Sequence, residues 1–523
     1  MFSRNRHRDY QPVGDLAHDH AEEPLLESFE LEEGHEKPPP RPPVTPRSII
    51  YYLCLNPTRL CGLGRGRWKR LIVRCILFFF IASLMLLFIT PIFNPSYSIR
   101  PAHYKGNNPH NEKVFIAANI IDEDMIRGPW GNAVKNLVEL IGPDNVYLSI
   151  YENDSGDGVK NALHELSAVV KCRSNIISGH IDLDKFPRIQ ILPNDSRIKR
   201  LSYLAQVRNH AIEPIEYTNA TTSTSTITKF DKLLFLNDVV FSPRDAADLL
   251  FATGVSTTGR TTYHAACAMD YINPLKFYDR FAMRDHEYYE AGLPFFPWFV
   301  NGGRNADSFH DVMAMSDSVR VKSCWGGMVA FEAKWFRQQD LPQKPERELK
   351  ALRFRSEPDA FWDASECCLI HADLEALVTD SHLGTQARIF VNPYIRTAYD
   401  ANTFSWLEFT RRFERLFTVP HMLIGWLLRQ PWAAVRRNDP VGRTISRREW
   451  TYQAPARPPP KDQKFGIADI PQFGRWETVQ RQATPGGWCG FPFLLALKNE
   501  YKPGERRWEK IFEPPGANRP AFT

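Results

Sequence analysis

Short apolar runs and segments of helical spacing alternate along the chain from about residue 113. The runs are VFIAANI (114–120), NVYLSIYEND (145–154), RIQIL (188–192) and KLLFLND (232–238). Between the first two runs, Val134, Leu137, Val138 and Ile141 recur three and four residues apart, which predicts a helix that ends before Gly142. Such alternation is typical of βαβ units. The pattern therefore predicts an α/β fold with a mainly parallel sheet and flanking helices.

One apolar run is long enough to cross a membrane. Residues 75–93 (CILFFFIASLMLLFITPIF) contain no charged side chain, and as a helix they extend about 28 Å, close to the roughly 30 Å of a hydrocarbon core. Six basic residues lie between Arg59 and Arg74, whereas 94–98 carry no charge. The positive-inside rule then predicts a single-pass type II protein with a lumenal C-terminal part. A buried core helix is the alternative interpretation; a cleaved signal peptide would start nearer the N-terminus and be shorter.

The span divides the chain into predicted regions. We expect a disordered cytoplasmic tail (1–74), a transmembrane anchor (75–93), a stem (94–112), a lumenal α/β domain (113–400) and a C-terminal helical and Pro/Arg-rich extension (401–523). The tail contains the proline-rich GHEKPPPRPPVTPR, and 404–432 has the pattern of a helix pair. A net charge of +5 over 523 residues weighs against a dedicated nucleic-acid binder.

A lumenal location has consequences for cysteine and asparagine residues. Six cysteines follow the span and allow up to three disulfides, with connectivity that spacing does not determine: Cys172, Cys267, Cys324, Cys367, Cys368 and Cys489. There is no CxxC pair, which makes a structural zinc site unexpected. Asn219 lies in the sequon of the polar stretch YTNATTSTSTITK and is the predicted glycosylation site.

An acid at the end of the fourth apolar run points to metal-dependent chemistry. Ligands of open α/β sheets bind beyond the carboxyl ends of the strands, where Asp238 is expected. A carboxylate there can hold Mg²⁺ or Mn²⁺ against a diphosphate leaving group. The Asp-x-Asp of many nucleotide-sugar transferases is reduced here to one acid beside Asn237, so a second ligand must come from elsewhere, such as Asp270 or His371. A simple turn-capping aspartate is the alternative. Neither a Gly-x-Gly-x-x-Gly after the first strand nor a P-loop motif is present.

Other stretches carry candidate binding groups, each with a structural alternative. Arg200 and Arg208 are eight residues apart on a helix predicted over 197–215, and they could border one groove and hold phosphates or form a solvated face. Residues 264–299 combine aromatic rings with acids, which suits either a sugar surface or an aromatic core. Gly326-Gly327 allows close backbone approach to a ligand. His371 is either a metal ligand or a structural histidine.

Taken in order, eight stretches resemble one family. They are VFIAANIIDED, SIYENDSGD, LAQVRN, KLLFLNDVVF, CAMDY, FYDRFAMRD, CWGGM and ASECCLIHADL. Over about 113–395 the chain resembles the fungal cryptococcal mannosyltransferases, the capsule-associated α-1,3-mannosyltransferases. The resemblance implies a type II Golgi membrane protein whose GT-A-like lumenal domain transfers mannose from GDP-mannose to an α-mannoside, with Mn²⁺ or Mg²⁺. The family also includes capsule-assembly proteins, so the alternative is that the chain is a catalytically weak accessory protein of polysaccharide assembly or export. An anchored lectin is a third.

The resemblance implies roles for residues at the nucleotide end of the site. Asn119 and Glu152 would lie near the nucleoside, Arg200 and Arg208 near the diphosphate, and Asp238 at the metal. His371 is the second candidate metal ligand.

Further roles are implied at the sugar end of the site. Arg284 and Asp285 would lie near the donor sugar, with Asp270 and Gly326-Gly327 among the groups that bind the donor. Glu366 and Asp285 are the candidate catalytic acids. An α-linked donor and an α-linked product imply retention, through either a covalent carboxylate intermediate or front-face attack. The acceptor and the oligomeric state stay open.

Overall fold

The computed structural model describes residues 65–217, 229–343, 348–381, 386–431, 436–457, 459–460, 463, 465–500 and 505–516. These residues fall into two units, and the boundary lies between Pro95 and Ser96. The first unit contains helix α1 (Arg65–Phe93), whose segment Arg70–Phe93 has a mean hydropathy of 2.8. By length and composition this helix is able to cross a membrane.

The second unit contains the remaining helices and all the described strands. The helices are α2 (Glu123–Arg127), α3 (Pro129–Ile141), α4 (Asp157–Val169), α5 (Arg200–Ile212), α6 (Pro214–Tyr217), α7 (Pro243–Ala252), α8 (Asp307–Met313), α9 (Glu366–Ser381), α10 (Ala401–Thr410) and α11 (Thr418–Leu427). The strands are β1 (Val114–Ala118), β2 (Val146–Asn153), β3 (Arg173–Gly179), β4 (Arg188–Leu192), β5 (Asp195–Ile198), β6 (Lys232–Leu236), β7 (Ala265–Asn273), β8 (Lys276–Phe277), β9 (Arg284–Asp285), β10 (Val319–Ser323), β11 (Met328–Glu332), β12 (Asp363–Ala364), β13 (Ile389–Ala398), β14 (Thr444–Tyr452), β15 (Gly474–Gln482), β16 (Gly490–Phe491), β17 (Phe493–Leu497) and β18 (Trp508–Phe512).

A mixed sheet of ten strands forms the centre of this unit. Its order is β3-β2-β1-β6-β11-β7-β13-β10-β9, with β8 paired to β7. Seven of the ten strands run in one direction, while β8, β10 and β11 run in the other. The predicted α/β fold, a mainly parallel sheet with flanking helices, is confirmed. The apolar runs of β1 and β6 are fully buried because helices cover both faces of the sheet.

Two predicted elements differ in detail from the structure. The run 188–192 is a strand, but β4 pairs antiparallel with β5 in a separate ribbon and takes no place in the central sheet. The helix expected over 197–215 is divided into α5 and α6, because Pro214 has no N–H to donate to the preceding turn and begins a new helix instead.

The chain beyond residue 400 contributes both helices and strands. Helices α10 and α11 are joined by a 3₁₀ segment, Arg411–Phe417. Further along, β14 pairs with β15 and β17 with β18, and β16 pairs with β12 of the preceding region. Lys199, just before α5, lies 2.6 Å from the Asp363 carboxylate, which also accepts the Leu495 N–H at 2.6 Å. The C-terminal strands therefore pack against the helix that carries Arg208.

Candidate active site

The site begins where β6 leaves the sheet. Asn237 follows the buried strand and is held on both sides of its backbone: its N–H donates to the Gly327 carbonyl at 2.9 Å, and its carbonyl accepts the indole N–H of Trp130 at 2.9 Å. Three residues after Asn237, Val240 exchanges backbone hydrogen bonds with Ala398 of β13. Asp238 lies between these fixed points and is half-buried. The strand end is thus a rigid support for its carboxylate.

Gly326 and Gly327 form the turn that faces this strand end. Both have positive φ values, 61° and 68°, which disfavour any other residue. A Cβ atom at Gly326 would lie 2.0 Å from the Ala268 carbonyl oxygen, and one at Gly327 would lie 2.8 Å from a methyl group of Val239. The two glycines therefore allow the close approach of the β7 backbone and of the Val239 side chain.

Arg208, from α5, is at the centre of the polar contacts. Its Nε donates to Glu366 at 3.0 Å, and its Nη1 donates to the Asn237 side-chain oxygen at 3.1 Å. The Trp325 indole donates to that same oxygen at 3.2 Å, while its ring lies 4.7 Å below the guanidinium. The side chain of Glu366 is only 3% exposed. The ion pair therefore fixes Glu366 in a largely dehydrated position.

The charges around Arg208 also show which acids are its neighbours. Burial alone would lower the pKa of Arg208, but the neighbouring Cys367, Glu366 and Asp238 raise it above its ordinary value. Asp238, predicted at one strand end, and Glu366, predicted more than 120 residues later, therefore act on the same guanidinium. The structure brings these three predicted residues together.

Two further acids lie close to this group. Asp279 accepts the backbone N–H groups of Ala282 and Gly326, and Glu366 and Arg208 act on its charge. Its own N–H donates to Asp270 at 3.1 Å, and Asp270 also accepts the Tyr399 hydroxyl at 2.7 Å. Burial raises the pKa of Asp270 to about 7 and that of Asp279 to about 6. We call Asp238, Asp270, Asp279 and Glu366 the carboxylate cluster.

Buried polar atoms without partners lie at the ends of β1 and β2. The amide nitrogen of Asn119 donates to the carbonyls of Tyr151 and Val207 at 2.9 and 3.2 Å, and its buried Oδ1 has no hydrogen bond to the part of the chain that the structure describes. Glu152 accepts the Ser155 N–H with one oxygen, while its other, buried oxygen has no protein partner among the described residues. Unsatisfied buried acceptors are rare in folded proteins and point to a ligand or water.

The part of the chain that contains the carboxylate cluster matches one protein family. Residues 113–373 match the family described as Cryptococcal mannosyltransferase 1. The chain belongs to this family. The matched region contains every member of the carboxylate cluster together with Arg208, Asn119 and Glu152, so the family match and the geometry concern the same part of the chain.

The chain was also compared with curated proteins and with solved structures. No functionally curated protein matches the chain. Among solved structures, it is similar to a mannosyltransferase, PcManGT, from Pyrobaculum calidifontis, in complex with GDP-Man and Mn²⁺. The identity is 9%, the match covers 67% of this chain and 72% of that one, and the TM-score is 0.29. Superposition at this level supports no inference about the chain.

Three other residues predicted from the family resemblance have contacts of their own. The guanidinium of Arg200 stacks 4.8 Å from the Trp508 ring, at the other end of α5 from Arg208. Arg284 is buried and donates to the carbonyls of Trp488 and Cys489 at 3.0 and 2.8 Å. Asp285 accepts two backbone N–H groups in the following turn, and burial raises its pKa to about 7. These contacts stabilise loops and the C-terminal segment.

His371 lies in the core beside a disulfide. Its Nδ1 is 2.8 Å from the Cys367 carbonyl oxygen, and its Nε2 is 3.8 Å from the sulfur of Cys267, which is bonded to Cys324. Burial lowers the pKa of His371 to about 4. Because disulfide sulfurs are not thiolates, this arrangement offers no metal site around His371. Asn219 is outside the described residues, so its glycosylation stays a prediction.

Four residues of the site were not among the predicted site residues: Asn237, Asp279, Trp325 and Tyr399. The sequence indicates Asn237 only as the residue in place of a second acid, whereas its amide oxygen orients Arg208 and Trp325. Asp279 and Tyr399 meet across 120 residues of chain through Asp270. No local sequence signal predicts that pairing, whereas the position of Asn237 directly before Asp238 could have indicated its role.

The donor set at the strand end fits a hard divalent cation. Asp238 offers carboxylate oxygens, which Mg²⁺ and Mn²⁺ prefer. A single protein carboxylate suits a cation whose other ligands are phosphate oxygens and water, the usual arrangement for Mg²⁺ with a nucleotide. The side chains of Asp270 and His371, the two candidates for a second ligand, already have protein partners.

Proposed function

We propose that this mannosyltransferase family member transfers mannose from GDP-mannose to an α-mannoside acceptor, in glycan or capsule-type polysaccharide synthesis, forming an α-1,3 linkage with retention. The observation that carries the proposal is the placement of Asp238 at the end of β6, beside the Arg208–Glu366 ion pair. Such a transfer needs a carboxylate that binds the metal ion, a positively charged side chain for the phosphates and an acid at the reacting centre.

The nucleoside is assigned to the ends of β1 and β2. Glu152 is fully buried, and a carboxylate oxygen that has no partner there, as is the case for one of its two among the described residues, costs free energy. The ring N–H and exocyclic amino group of guanine are donors on one edge of the base, and one carboxylate can accept from both. The unpartnered oxygens of Glu152 and Asn119 support recognition of a guanine nucleotide at this position.

The diphosphate is assigned to the strand end. Asp238 would hold Mn²⁺ or Mg²⁺, which when bound supplies positive charge for the departing diphosphate. Arg208 adds a second, permanent positive charge beside Asp238. Trp325 and Asn237 keep the guanidinium in place, so it needs no reorganisation when negative charge develops on the leaving group.

Glu366 is the proposed acid at the reacting centre. It begins α9, where the helix dipole favours a negative charge, and Arg208 fixes its carboxylate. A fixed carboxylate can serve either route to retention: it can form a covalent glycosyl intermediate, or it can stabilise positive charge on the sugar while the acceptor attacks from the leaving-group face.

Binding of GDP tests the proposal at the strand end. We expect calorimetric titration of the full chain to show GDP affinity that increases with Mn²⁺ and is lowered at least tenfold in Asp238→Ala. Asp231→Ala is the matched control, because Asp231 is exposed and lies at the opposite end of β6. Equal affinity of the native chain and Asp238→Ala for GDP with Mn²⁺ would overturn the assignment.

The location is proposed to be the Golgi membrane, with the catalytic unit in the lumen. The charge difference across residues 75–93 and the apolar helix α1 support this topology. In sealed vesicles, we expect added protease to remove the N-terminal tail while the C-terminal unit is protected. Digestion of the C-terminal unit in intact vesicles would contradict the orientation.

A further inference from the structure

Helix α11 buries its small and polar residues and exposes its large apolar ones. His421 and Gly425 face the protein, where His421 contacts the position of Gly292. On the opposite side, Val419, Leu423 and Trp426 are 73%, 54% and 74% exposed. These residues are four and three apart and therefore share one face of the helix. A helix of a water-soluble surface has the reverse arrangement.

The exposed apolar residues continue into the preceding helix. Trp406 and Phe409 of α10 are about half exposed, and ring contacts at 5.8 and 5.3 Å link them to each other and to Phe413. Within the described residues after Ser96, nine of the seventeen exposed large apolar side chains lie in 406–428. Single exposed apolar residues are normal, but such a concentration marks an interaction surface. We call the exposed residues of α10 and α11 the apolar face.

The chain itself indicates what covers this face. Residues 411–417, which join the two helices, contact the first residues of the folded unit: Arg411 donates to the Tyr97 carbonyl at 3.2 Å, and Ser96 donates to Glu414 at 3.5 Å. Glu414 is further fixed by a buried bidentate pair with Arg396. The apolar face is thus attached to the point where the unit begins.

The same point is covalently tied to the apolar helix α1. That helix ends at Phe93, and the extended chain allows at most about 11 Å between the Cα atoms of Phe93 and Ser96. If α1 crosses a membrane, Ser96 cannot leave the membrane surface by more than this distance. In that case the apolar face, which residues 411–417 attach to Ser96 and Tyr97, would be kept near the lipid interface.

The composition of the apolar face agrees with an interfacial position. Trp406 and Trp426 have a large apolar ring and one N–H donor, a combination that is enriched at the level of lipid headgroups. Arg412 precedes α11 in the chain and Arg429 follows it. Both are exposed, and their long side chains can reach lipid phosphates.

We propose that α10 and α11 form a second membrane contact, in which the apolar face lies in the interface of the same bilayer that holds α1. The contact rests on α1 being a membrane span and is independent of the proposed transfer reaction. It would hold the catalytic unit at a fixed height and orientation on the membrane, so that the site acts on acceptors near the surface.

Labelling of one position on the apolar face tests this contact. The full chain with Leu423→Cys is reconstituted in phosphatidylcholine vesicles, carbonate extraction establishes that it is integral, and an environment-sensitive fluorophore is attached. Val169→Cys is the matched control, because Val169 is 55% exposed and lies on α4. The native chain, labelled in parallel, gives the background from its own cysteines.

The expected result is strong quenching of the label at 423 by nitroxide-bearing lipids and at least fivefold weaker quenching by iodide than at 169. Iodide quenching at 423 equal to that at 169 would mean that water covers the face and would overturn the proposal. Shielding from both quenchers would mean that a second copy or another protein covers it, which also overturns the proposal. Trp426→Cys is the second variant if Leu423→Cys fails to fold.

Discussion

Asn237 stands where a second acid of a strand-end motif would be expected, and its contacts give a physical reason for the amide. Its side-chain oxygen accepts from Arg208 and from Trp325. An aspartate at this position would compete with Glu366 for the same guanidinium and add a negative charge beside Asp238. The single-acid motif is therefore consistent with an intact site.

Replacement of Glu366 tests its proposed role at the reacting centre. Because Gln keeps the shape but loses the charge, we expect Glu366→Gln to lower the turnover of GDP-mannose on the order of 100-fold or more, with GDP affinity changed less than threefold. Glu357→Gln is the matched control, since Glu357 is similarly buried and paired with Arg355 at 2.9 Å. Equal rates for the two variants would remove Glu366 from the reacting centre.

The Asp270–Asp279 pair predicts how stability depends on pH. Burial raises their pKa values to about 7 and about 6, above the value of about 3.9 for an unfolded aspartate. The folded chain therefore binds protons that the unfolded chain releases, and the stabilisation present below about pH 4 is lost as the pH rises towards 7.

Replacement of one acid should reduce this loss. From pH 5 to pH 8 we expect the free energy of unfolding to decrease in both proteins. The decrease in Asp270→Asn should be smaller than that in the native chain, and the difference between the two decreases should be on the order of 2 kcal/mol. Thermal and denaturant unfolding in the presence of a chelator measure the difference. Asp184→Asn, at a position that is 90% exposed, should follow the native chain. An unchanged pH dependence in Asp270→Asn would contradict the raised pKa values.

At the scale of elements, hydrophobic periodicity predicts the parts of the fold that depend on local spacing. The strands β1, β2 and β6 and the helix α3 follow from it, since each buries a continuous run or one helical face. The antiparallel insertion of β11 between β6 and β7 does not, because strand pairing is decided by contacts far apart in the sequence.

The same distinction applies to the candidate site. Asp238, Arg208 and Glu366 could be proposed from residue type and position, and the structure brings them together. Asp279 and Tyr399 could not, because their meeting at Asp270 depends on how β13 pairs with β7. Sequence reasoning also suggested one shared groove for Arg200 and Arg208, yet Arg200 stacks on Trp508 of the C-terminal strands.

The Cys368–Cys489 disulfide links the first turn of α9, which carries Glu366, to the C-terminal segment. We expect Cys489→Ser to lower the free energy of unfolding by about 2–5 kcal/mol, because the bond closes a loop of 121 residues. Denaturant unfolding under oxidising conditions measures this. Cys172→Ser should cost less than about 1 kcal/mol, since Cys172 is a half-buried free thiol. Equal stability of Cys489→Ser and the native chain would contradict the role of the bond.

At the scale of the molecule, the folded unit directly follows an apolar helix in the sequence. Its C-terminal strands pack back against its own helix α5. Lys199, Asp363 and Leu495 join α5, β12 and β17 around a buried ion pair, so the last part of the chain supports the helix that carries Arg208. A buried pair that loses one partner leaves an uncompensated charge. The C-terminal region is therefore part of the framework of the site.

We propose above that GDP-mannose is the donor and that Asp238 holds the cation. The most direct test is a donor screen, in which the full chain is incubated with each nucleotide sugar, an α-mannoside and Mn²⁺, and labelled sugar in the acceptor is measured. We predict product from GDP-mannose alone, loss of product on chelation, and a rate at least 100-fold lower in Asp238→Ala. Absence of product from GDP-mannose would favour the accessory role instead, and product formation at the native rate in Asp238→Ala would contradict the assignment of the site.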